Sequence, residues 1–188
     1  MTRLLSAFNF QQWVIESDFP NHEKLEYLFD GLEDNRATDQ TTATNNGIQH
    51  YYNNDEIKDV AEQIRKRTNE LLAEQQSPVS AGDIDHAWTI TYNPGGWQAL
   101  HSHSYRYNII STILYFDTNE SENTSNGALY SIFSEPDGDQ LVHVYPYWAG
   151  KFVVMEGAIF HGAYPTTSTR RCLIVDFKQV INDNTDTK

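Results

Sequence analysis

Two histidines stand one residue apart in the stretch LHSHSYRYN, residues 100–108. Alternate side chains of a β-strand share a face, so on a strand His101 and His103 would point in the same direction. Both imidazoles could then reach a single ion, because neutral imidazole is a common metal ligand. Two solvated histidines on a polar edge strand would have the same pattern, and the pair alone does not separate these interpretations.

A second candidate group lies further along the chain, in GKFVVMEGAIFHGAYPTTSTRR, residues 150–171. His161 follows the apolar run AIF, which predicts that it sits at the inner end of a strand. Arg170 stands at the start of the next apolar strand, from which it can reach back over the same cavity. A buried guanidinium needs an anionic partner, and its fork of N–H donors matches a carboxylate. These residues predict a metal site with an anion anchor beside it.

The anchor itself has two candidates, because Arg170 and Arg171 are adjacent. They would face opposite sides of a strand that has already begun there. Arg170 would share its side with Cys172 and Ile174. We therefore expect Arg170 to be the inward guanidinium and Arg171 to lie on the surface.

These groups lie in a strand-rich C-terminal half. From residue 86 the apolar period is two, and HAWTITY places Trp88, Ile90 and Tyr92 on one face. NPGG, residues 93–96, is predicted to be a turn. A series of short strands without intervening helices favours an antiparallel sandwich or barrel. Further strands are predicted at NIISTILYF (108–116), ALYSIF (128–133), LVHVYPY (141–147), KFVVM (151–155) and RCLIVDFK (171–178).

The N-terminal half is predicted to be helical. SDFPNHEKLEYLFDGLEDN, residues 17–35, has Ser17 or Asp18 as its N-cap and apolar residues at helical spacing. A second helix with an apolar stripe is predicted from about Asp55 to Gln75. The polar stretch EDNRATDQTTATNNG, residues 33–47, is predicted to be a loop. Both helices would pack behind a sheet and support it.

Composition and charge limit the class of protein. The chain has 188 residues, which is enough for one domain with a full core, and 39% of them are apolar. A formal net charge of −13 argues against a nucleic-acid partner and against docking on anionic membranes. Cys172 is the single cysteine, which fits a reducing cytosol, and neither a signal peptide nor a membrane span is recognisable. We expect a cytoplasmic protein that forms a single domain over residues 1–188.

The segments TYNPGGWQALHSHS and HGAYPTTSTR together resemble the core of the Fe(II)- and 2-oxoglutarate-dependent oxygenases. Within that superfamily the chain is most similar to the prolyl-hydroxylase-like branch and to small oxygenases of marine phages and bacteria. The family pattern is H-x-D/E, a long gap, a distal histidine and then an arginine. His101 matches the first ligand, His161 the distal histidine and Arg170 the arginine. The resemblance covers residues 86–178, about half of the chain.

The resemblance implies a mainly β fold with N-terminal helices. Residues 86–178 would form a double-stranded β-helix, which is a jelly roll like that of the cupins. Two supporting α-helices would lie within residues 1–80, and residues 179–188 would be a tail.

The resemblance also implies a set of ligands and the residues that hold them. Fe(II) would be bound by His101, His103 and His161. The cosubstrate 2-oxoglutarate would chelate the iron and place its distal carboxylate on Arg170, and dioxygen would take the remaining position. Tyr92 and Tyr115 fall near positions where relatives place tyrosines against the cosubstrate.

The implied activity is a dioxygenase that hydroxylates a peptidyl residue or a small metabolite and releases succinate and carbon dioxide. One departure from the family pattern leaves alternatives open, because His103 replaces the carboxylate ligand. Cupin-type thiol dioxygenases have a three-histidine centre and use no oxoacid, whereas Arg170 favours the oxoacid. A non-catalytic jelly-roll binding protein is the third interpretation. Tyr105, Arg106 and Tyr107 would line a substrate groove or form a plain edge strand.

Overall fold

The computed structural model describes residues 3–4, 12–35, 43–103, 108–134 and 139–182. Over these residues it is mainly β, with a 3₁₀ helix at His22–Phe29 and an α-helix, α1, at Asn54–Glu74. Within the described residues, no helix has both the length and the apolar character that a membrane crossing needs. The strands are β1 (Arg3–Leu4), β2 (Val14–Asp18), β3 (Thr44–Tyr52), β4 (Val79–His101), β5 (Ile109–Tyr115), β6 (Leu129–Ser134), β7 (Gln140–Tyr145), β8 (Lys151–Glu156), β9 (Phe160–Ala163) and β10 (Arg170–Ile181).

Helix α1 confirms the second predicted helix almost to the residue. Asn53 caps it, since its side chain accepts a hydrogen bond from the Glu56 amide at 3.0 Å, and the Glu56 carboxylate accepts one from the Asn53 amide at 3.2 Å. This reciprocal capping box satisfies two amides that the first turn leaves without partners. The apolar stripe is buried, as its spacing predicts, from Ile57 to Leu72.

The first predicted helix is wrong over most of its length. Ser17 and Asp18, predicted as caps, belong to β2, where Ser17 pairs with Phe152 of β8. The chain then turns through Asn21, which has a left-handed backbone (φ 55°), into the short 3₁₀ helix. Leu25 and Leu28 are buried there, so the helical spacing of the apolar residues reflects the buried side of the 3₁₀ helix. The pairing of β2 with β8 overrides the helical preference of the residues that precede the 3₁₀ helix.

The strands form one antiparallel sheet in the order β1-β2-β8-β5-β10-β4-β9-β6-β7, with β3 paired to β4 beside this path. The sheet is strongly curled. Leu129 of β6 and Tyr145 of β7 share an apolar cluster with Ile113 of β5 and Val153 of β8, although these strands lie far apart in the strand order. The end β9-β6-β7 therefore folds over the face of β8-β5-β10-β4, and the inward side chains meet between the two layers.

A second apolar cluster fills the opposite face of the large layer. There α1 and the 3₁₀ helix cover Leu114, Phe152, Val175 and Phe177. The residues of β10 thus alternate between the two clusters, with Cys172 and Ile174 facing the interior between the layers. The helices act as the support that the sequence predicts, on the side away from that interior.

Several predicted boundaries need correction. NPGG does not end a strand, because β4 continues through residues 93–96, with Gly95 at φ 84° and its amide bound to the Thr166 carbonyl at 2.6 Å. The loop predicted at 33–47 ends earlier, since β3 begins at Thr44, while residues 36–42 lie outside the described part. Strand β9, whose bounds the sequence analysis does not give, contains His161, which is predicted to lie at the inner end of a strand.

The predicted division of the chain also differs from the structure. The region 1–80 is not purely helical, because β1, β2 and β3 join the sheet. The predicted tail at 179–188 begins inside β10, where Gln179 pairs with Ala81. Residues 183–188 lie outside the described part.

Candidate metal and anion site

The three predicted histidines come together where β4 pairs with β9. His101 is the last residue of β4, and the β4–β9 register places it opposite His161. His103 follows the end of β4, where its amide donates to the Gly157 carbonyl at 2.8 Å. One ligand nitrogen from each ring lies within 4.8 Å of the others. The pairing of two strands distant in sequence, rather than the H-x-H spacing alone, therefore assembles the cluster.

The orientation of the three rings leaves the same nitrogen free on each. Nδ1 of His101 lies 2.9 Å from the Ala99 carbonyl, and Nδ1 of His161 lies 2.9 Å from the Ile159 carbonyl. A carbonyl oxygen only accepts, so each Nδ1 carries the proton and donates it. Nδ1 of His103 lies 3.0 Å from a carboxylate oxygen of Asp176. Each Nε2 is thereby left with a lone pair for an ion.

The Nε2 lone pairs of His101 and His103 point toward each other. Nε2 of His101 lies 3.1 Å from Nε2 of His103. Two acceptors at this distance repel unless a proton or a cation lies between them. Two ligands bound at about 2.1 Å and at right angles to each other are about 3 Å apart, so the spacing suits adjacent positions of one metal ion.

Burial keeps two of the three rings neutral. It lowers the pKa of His101 to about 4, with the charge of His103 adding to the effect. Burial also lowers the pKa of His161 well below its usual value. At His103 burial acts in the same direction, but the charge and hydrogen bond of Asp176 outweigh it and raise the pKa. Neutral imidazole is the form that binds a metal.

Asp176 is a site residue that the sequence analysis missed. Its carboxylate is buried and its two oxygens lie 3.0 and 2.9 Å from Nδ1 of His103. Ser111 is its cross-strand neighbour on β5, and the Ser111 hydroxyl lies 3.0 Å from the same nitrogen. A charged residue inside the apolar run LIVDF was the available signal, since an aspartate is seldom buried without a partner.

The predicted anion anchor lies in the interior between the two layers. Arg170 is 1% exposed and its guanidinium lies 4.0 Å above the ring of Tyr92, its cross-strand partner on β4. The ring of Tyr147 lies 5.8 Å away, and Tyr147 stacks on Tyr115 at 5.4 Å. Burial raises the pKa of Tyr92 and of Tyr115, and the charge of Arg170 opposes that rise. A permanent cation is thus enclosed by neutral phenols.

Two polar atoms of this aromatic enclosure have no hydrogen-bond partner among the described residues. They are Nε of Arg170 and the hydroxyl of Tyr147. The guanidinium donates from Nη1 to the Gly127 carbonyl, and no carboxylate of the described residues pairs with it. A buried cation and a buried hydroxyl left in this way fit a carboxylate ligand, which would accept from both. Tyr147 had no signal in the sequence that set it apart from the other tyrosines.

Arg171 has the opposite environment. Its guanidinium binds the Asp117 carboxylate, with the shortest contact at 2.9 Å, and lies 3.8 Å from Glu26. The Asp117 hydrogen bond is the main cause of its raised pKa. The structure therefore places Arg171 in an outer ion pair and Arg170 inside, as the alternation along β10 predicts.

A chain of contacts joins the anion anchor to the histidines. The Tyr92 hydroxyl donates to the Gln98 side-chain carbonyl at 3.0 Å. The amide nitrogen of Gln98 lies 3.4 Å from Nε2 of His101. The two candidate subsites thus belong to one interior. Gln98 was not predicted, because its face is set by the irregular register of β4 on β9 between Gln98 and His101.

Trp88 and four further histidines are the other candidates within the described residues. Trp88 is buried and its ring lies 5.5 Å from that of His103. Tyr105, Arg106 and Tyr107, predicted to line a groove or an edge strand, lie outside the described residues. His22, His50, His86 and His143 lie outside the cluster.

Comparison with known proteins gives matches in structure and none in sequence: no protein-family model and no curated protein matches the chain. A 2OG-Fe(II) oxygenase-family oxidoreductase from Burkholderia pseudomallei matches with a TM-score of 0.59 at 11% identity, over 83% of this chain and 76% of its own. A Trichoplax adhaerens prolyl hydroxylase, solved with a hypoxia-inducible-factor peptide fragment, matches with a TM-score of 0.58 at 10% identity, over 78% and 70%.

The epimerase SnoN of nogalamycin biosynthesis, a non-heme alpha-ketoglutarate-dependent enzyme, matches with a TM-score of 0.60 at 13% identity, over 93% of this chain and 82% of its own. At these identities the likeness is one of fold. The resemblance to Fe(II)- and 2-oxoglutarate-dependent oxygenases, including the prolyl-hydroxylase-like branch, is confirmed at that level. The curled antiparallel sheet with two helices fits their jelly-roll-like architecture.

Proposed function

We propose that this protein is an Fe(II)- and 2-oxoglutarate-dependent dioxygenase. The observation that carries the proposal is the convergence of three imidazole Nε2 atoms beside a buried guanidinium that has no carboxylate partner among the described residues. The histidines supply the donors of a cation site, and Arg170 supplies the anchor of an anion. A dicarboxylate that also chelates the metal would satisfy both groups at once.

The proposed ligands of Fe(II) are His101, His103 and His161. Their Nδ1 atoms are held by acceptors of the protein, which fixes the tautomer and the direction of each ring. Three protein ligands on one side of the ion leave positions for an oxoacid and for dioxygen. Iron, 2-oxoglutarate and dioxygen, when bound, supply the oxidising chemistry that hydroxylates a C–H bond and yields succinate and carbon dioxide.

The proposed residues for 2-oxoglutarate are Arg170, Tyr92 and Tyr115, joined by Tyr147. Arg170 offers a charged donor to the distal carboxylate, and the orphaned Tyr147 hydroxyl offers a neutral one. The stacked pair of Tyr115 and Tyr147 and the ring of Tyr92 exclude water from the guanidinium. Low local polarity strengthens the pairing of a carboxylate with Arg170.

The proposal extends to the architecture and to the setting. We assign the two facing layers to a double-stranded β-helix and residues 1–188 to one domain. Cys172 is buried and unpaired, which is compatible with a cytoplasmic protein. The net charge of −13 favours partners other than nucleic acid or anionic membranes.

The proposed substrate is a peptidyl residue, with a small metabolite as the second candidate. The support is the fold shared with prolyl hydroxylases, one of which was solved with a peptide fragment. The epimerase with the same fold supports the second candidate. Succinate release in the presence of proline-containing peptides, compared with free amino acids, distinguishes the two classes.

Anaerobic titration of the Fe(II) protein with 2-oxoglutarate tests the cosubstrate. We expect a weak visible charge-transfer band that saturates as the oxoacid chelates the metal. If iron binds and no band develops, the centre is a three-histidine iron dioxygenase without an oxoacid. The cluster favours this alternative because, among the described residues, it contains three histidines and no carboxylate ligand. If neither iron nor oxoacid binds, the protein is a non-catalytic jelly-roll binding protein.

A further inference from the structure

We infer that Asp176 is the positioning residue of the metal site, and that it supplies through His103 the negative charge that three neutral imidazoles lack. The inference rests on the proposed function for the identity of the metal ligands. It adds a residue outside the ligand set and a role for it. A divalent cation held only by imidazoles keeps its full charge in a buried place, which is costly without an anion nearby.

The geometry points to a carboxylate–histidine–metal relay. Both Asp176 oxygens lie within 3.0 Å of Nδ1 of His103, while Nε2 of the same ring faces the Nε2 of His101. A carboxylate on one ring nitrogen fixes the proton there, turns the other nitrogen to the metal and increases its basicity. His103 differs in this respect from His101 and His161, which donate to neutral carbonyls.

The surroundings hold the Asp176 side chain in this position. It lies in β10 between β4 and β5, opposite His86 on one side and Ser111 on the other. The Ser111 hydroxyl reaches the same Nδ1 at 3.0 Å, and the Trp88 ring lies 5.5 Å from the ring of His103. The carboxylate is buried and is therefore not free to exchange His103 for water. A partner held in this way affects metal binding by His103 as well as the stability of the fold.

Metal affinity of the Asp176→Asn variant tests the inference. Asparagine keeps the shape and one acceptor oxygen, while the negative charge is lost and the second oxygen becomes an NH2 donor. We expect Co(II) and Fe(II) to bind about 10- to 100-fold more weakly, the usual effect of removing such an outer carboxylate. Asp117→Asn is the matched control, because it makes the same change of net charge beside Arg171 and should bind Co(II) like the wild type. An Asp176→Asn protein with wild-type affinity overturns the inference.

A double-mutant cycle distinguishes an effect of Asp176 that acts through His103 from a general electrostatic attraction of the cation to Asp176. In His103→Asp the ring that donates a hydrogen bond to Asp176 is absent. We expect Asp176→Asn to change Co(II) affinity less than threefold in that background, against tenfold or more with His103 present. An equal penalty in both backgrounds would mean that Asp176 acts by charge alone and would overturn the role assigned here.

The wild-type protein provides a readout that needs no variant. In the Zn(II)-loaded protein, the Nδ1 proton of His103 should resonate further downfield than those of His101 and His161, because its acceptor is charged. Three equivalent resonances overturn the inference, as does a wild type that binds no metal. Metal binding without the 2-oxoglutarate band would remove the proposed function and leave the role of Asp176 standing.

Discussion

Arg170 and Tyr92 face each other across the antiparallel pair of β10 and β4, and the Arg170 guanidinium lies 4.0 Å above the Tyr92 ring. The ring face attracts the cation but does not neutralise it. The charge of Arg170 therefore remains available to an anion bound beside it. This relationship separates Arg170 from its neighbour Arg171, whose charge is already paired with Asp117.

Replacing Arg170 by methionine should abolish oxoacid binding without loss of stability. The side chain keeps its length, and the substitution removes a buried cation that has no ion-pair partner among the described residues. We expect at least a 100-fold weaker affinity for 2-oxoglutarate in the anaerobic titration and an unchanged or higher free energy of unfolding. Arg171→Met is the control, with normal oxoacid affinity and a loss of roughly 0.5–1 kcal/mol, as for a partly exposed ion pair. Normal 2-oxoglutarate affinity in Arg170→Met would remove Arg170 from the site.

Tyr147→Phe should weaken oxoacid binding and leave the fold unaffected. The Tyr147 hydroxyl is buried and has no partner among the described residues, so its removal costs no internal hydrogen bond. A lost hydrogen bond to a carboxylate corresponds to about 1.5–3 kcal/mol, or roughly tenfold or more in the 2-oxoglutarate dissociation constant.

The matched variant Tyr145→Phe removes a hydroxyl that does have a partner, at 2.6 Å from Ser131. It should lower the free energy of unfolding by about 1 kcal/mol in urea titrations. If both variants lose the same stability and Tyr147→Phe binds 2-oxoglutarate normally, Tyr147 has no part in the site.

Stability of the metal-free protein should rise with pH between about 5 and 6.5. Burial lowers the pKa of His101 to about 4 and also lowers the pKa of His161 well below its usual value, so the unfolded chain binds more protons in this range. The raised pKa of His103 has the opposite sign, but its contribution is complete below 6.5 and adds no slope there. Urea unfolding across this range measures the effect, and His101→Asn should reduce the slope. A flat profile would mean that both rings are solvated.

The Cys172 thiol should resist thiol reagents in the folded protein. Burial raises its pKa to about 12, and the residue lies in the interior beside Arg170. We expect no reaction with an aromatic disulfide reagent at pH 8 and a full equivalent of released thiolate after denaturation. Rapid reaction of the native protein would show that solvent enters the enclosure around Arg170.

The sequence by itself determined those features whose cause is local. Helix α1 follows from its apolar stripe, and most of the strands follow from short alternating or continuous apolar runs between turn signals. The alternation along β10 separated Arg170 from Arg171. The types and order of His101, His103, His161 and Arg170 predicted a cation site beside an anion anchor.

Tertiary structure decided what depends on register between distant strands. The ladder of β2 with β8 converted a predicted helix start into a strand, and the pairing of β4 with β9 set His161 opposite His101. The contact of His103 with Asp176 and the contact of Arg170 with Tyr147 join residues that no local period relates. A one-residue shift in the pairing of a strand would turn all of its side chains to the opposite face of the sheet. The contacts between these residues are therefore fixed only in the folded sheet.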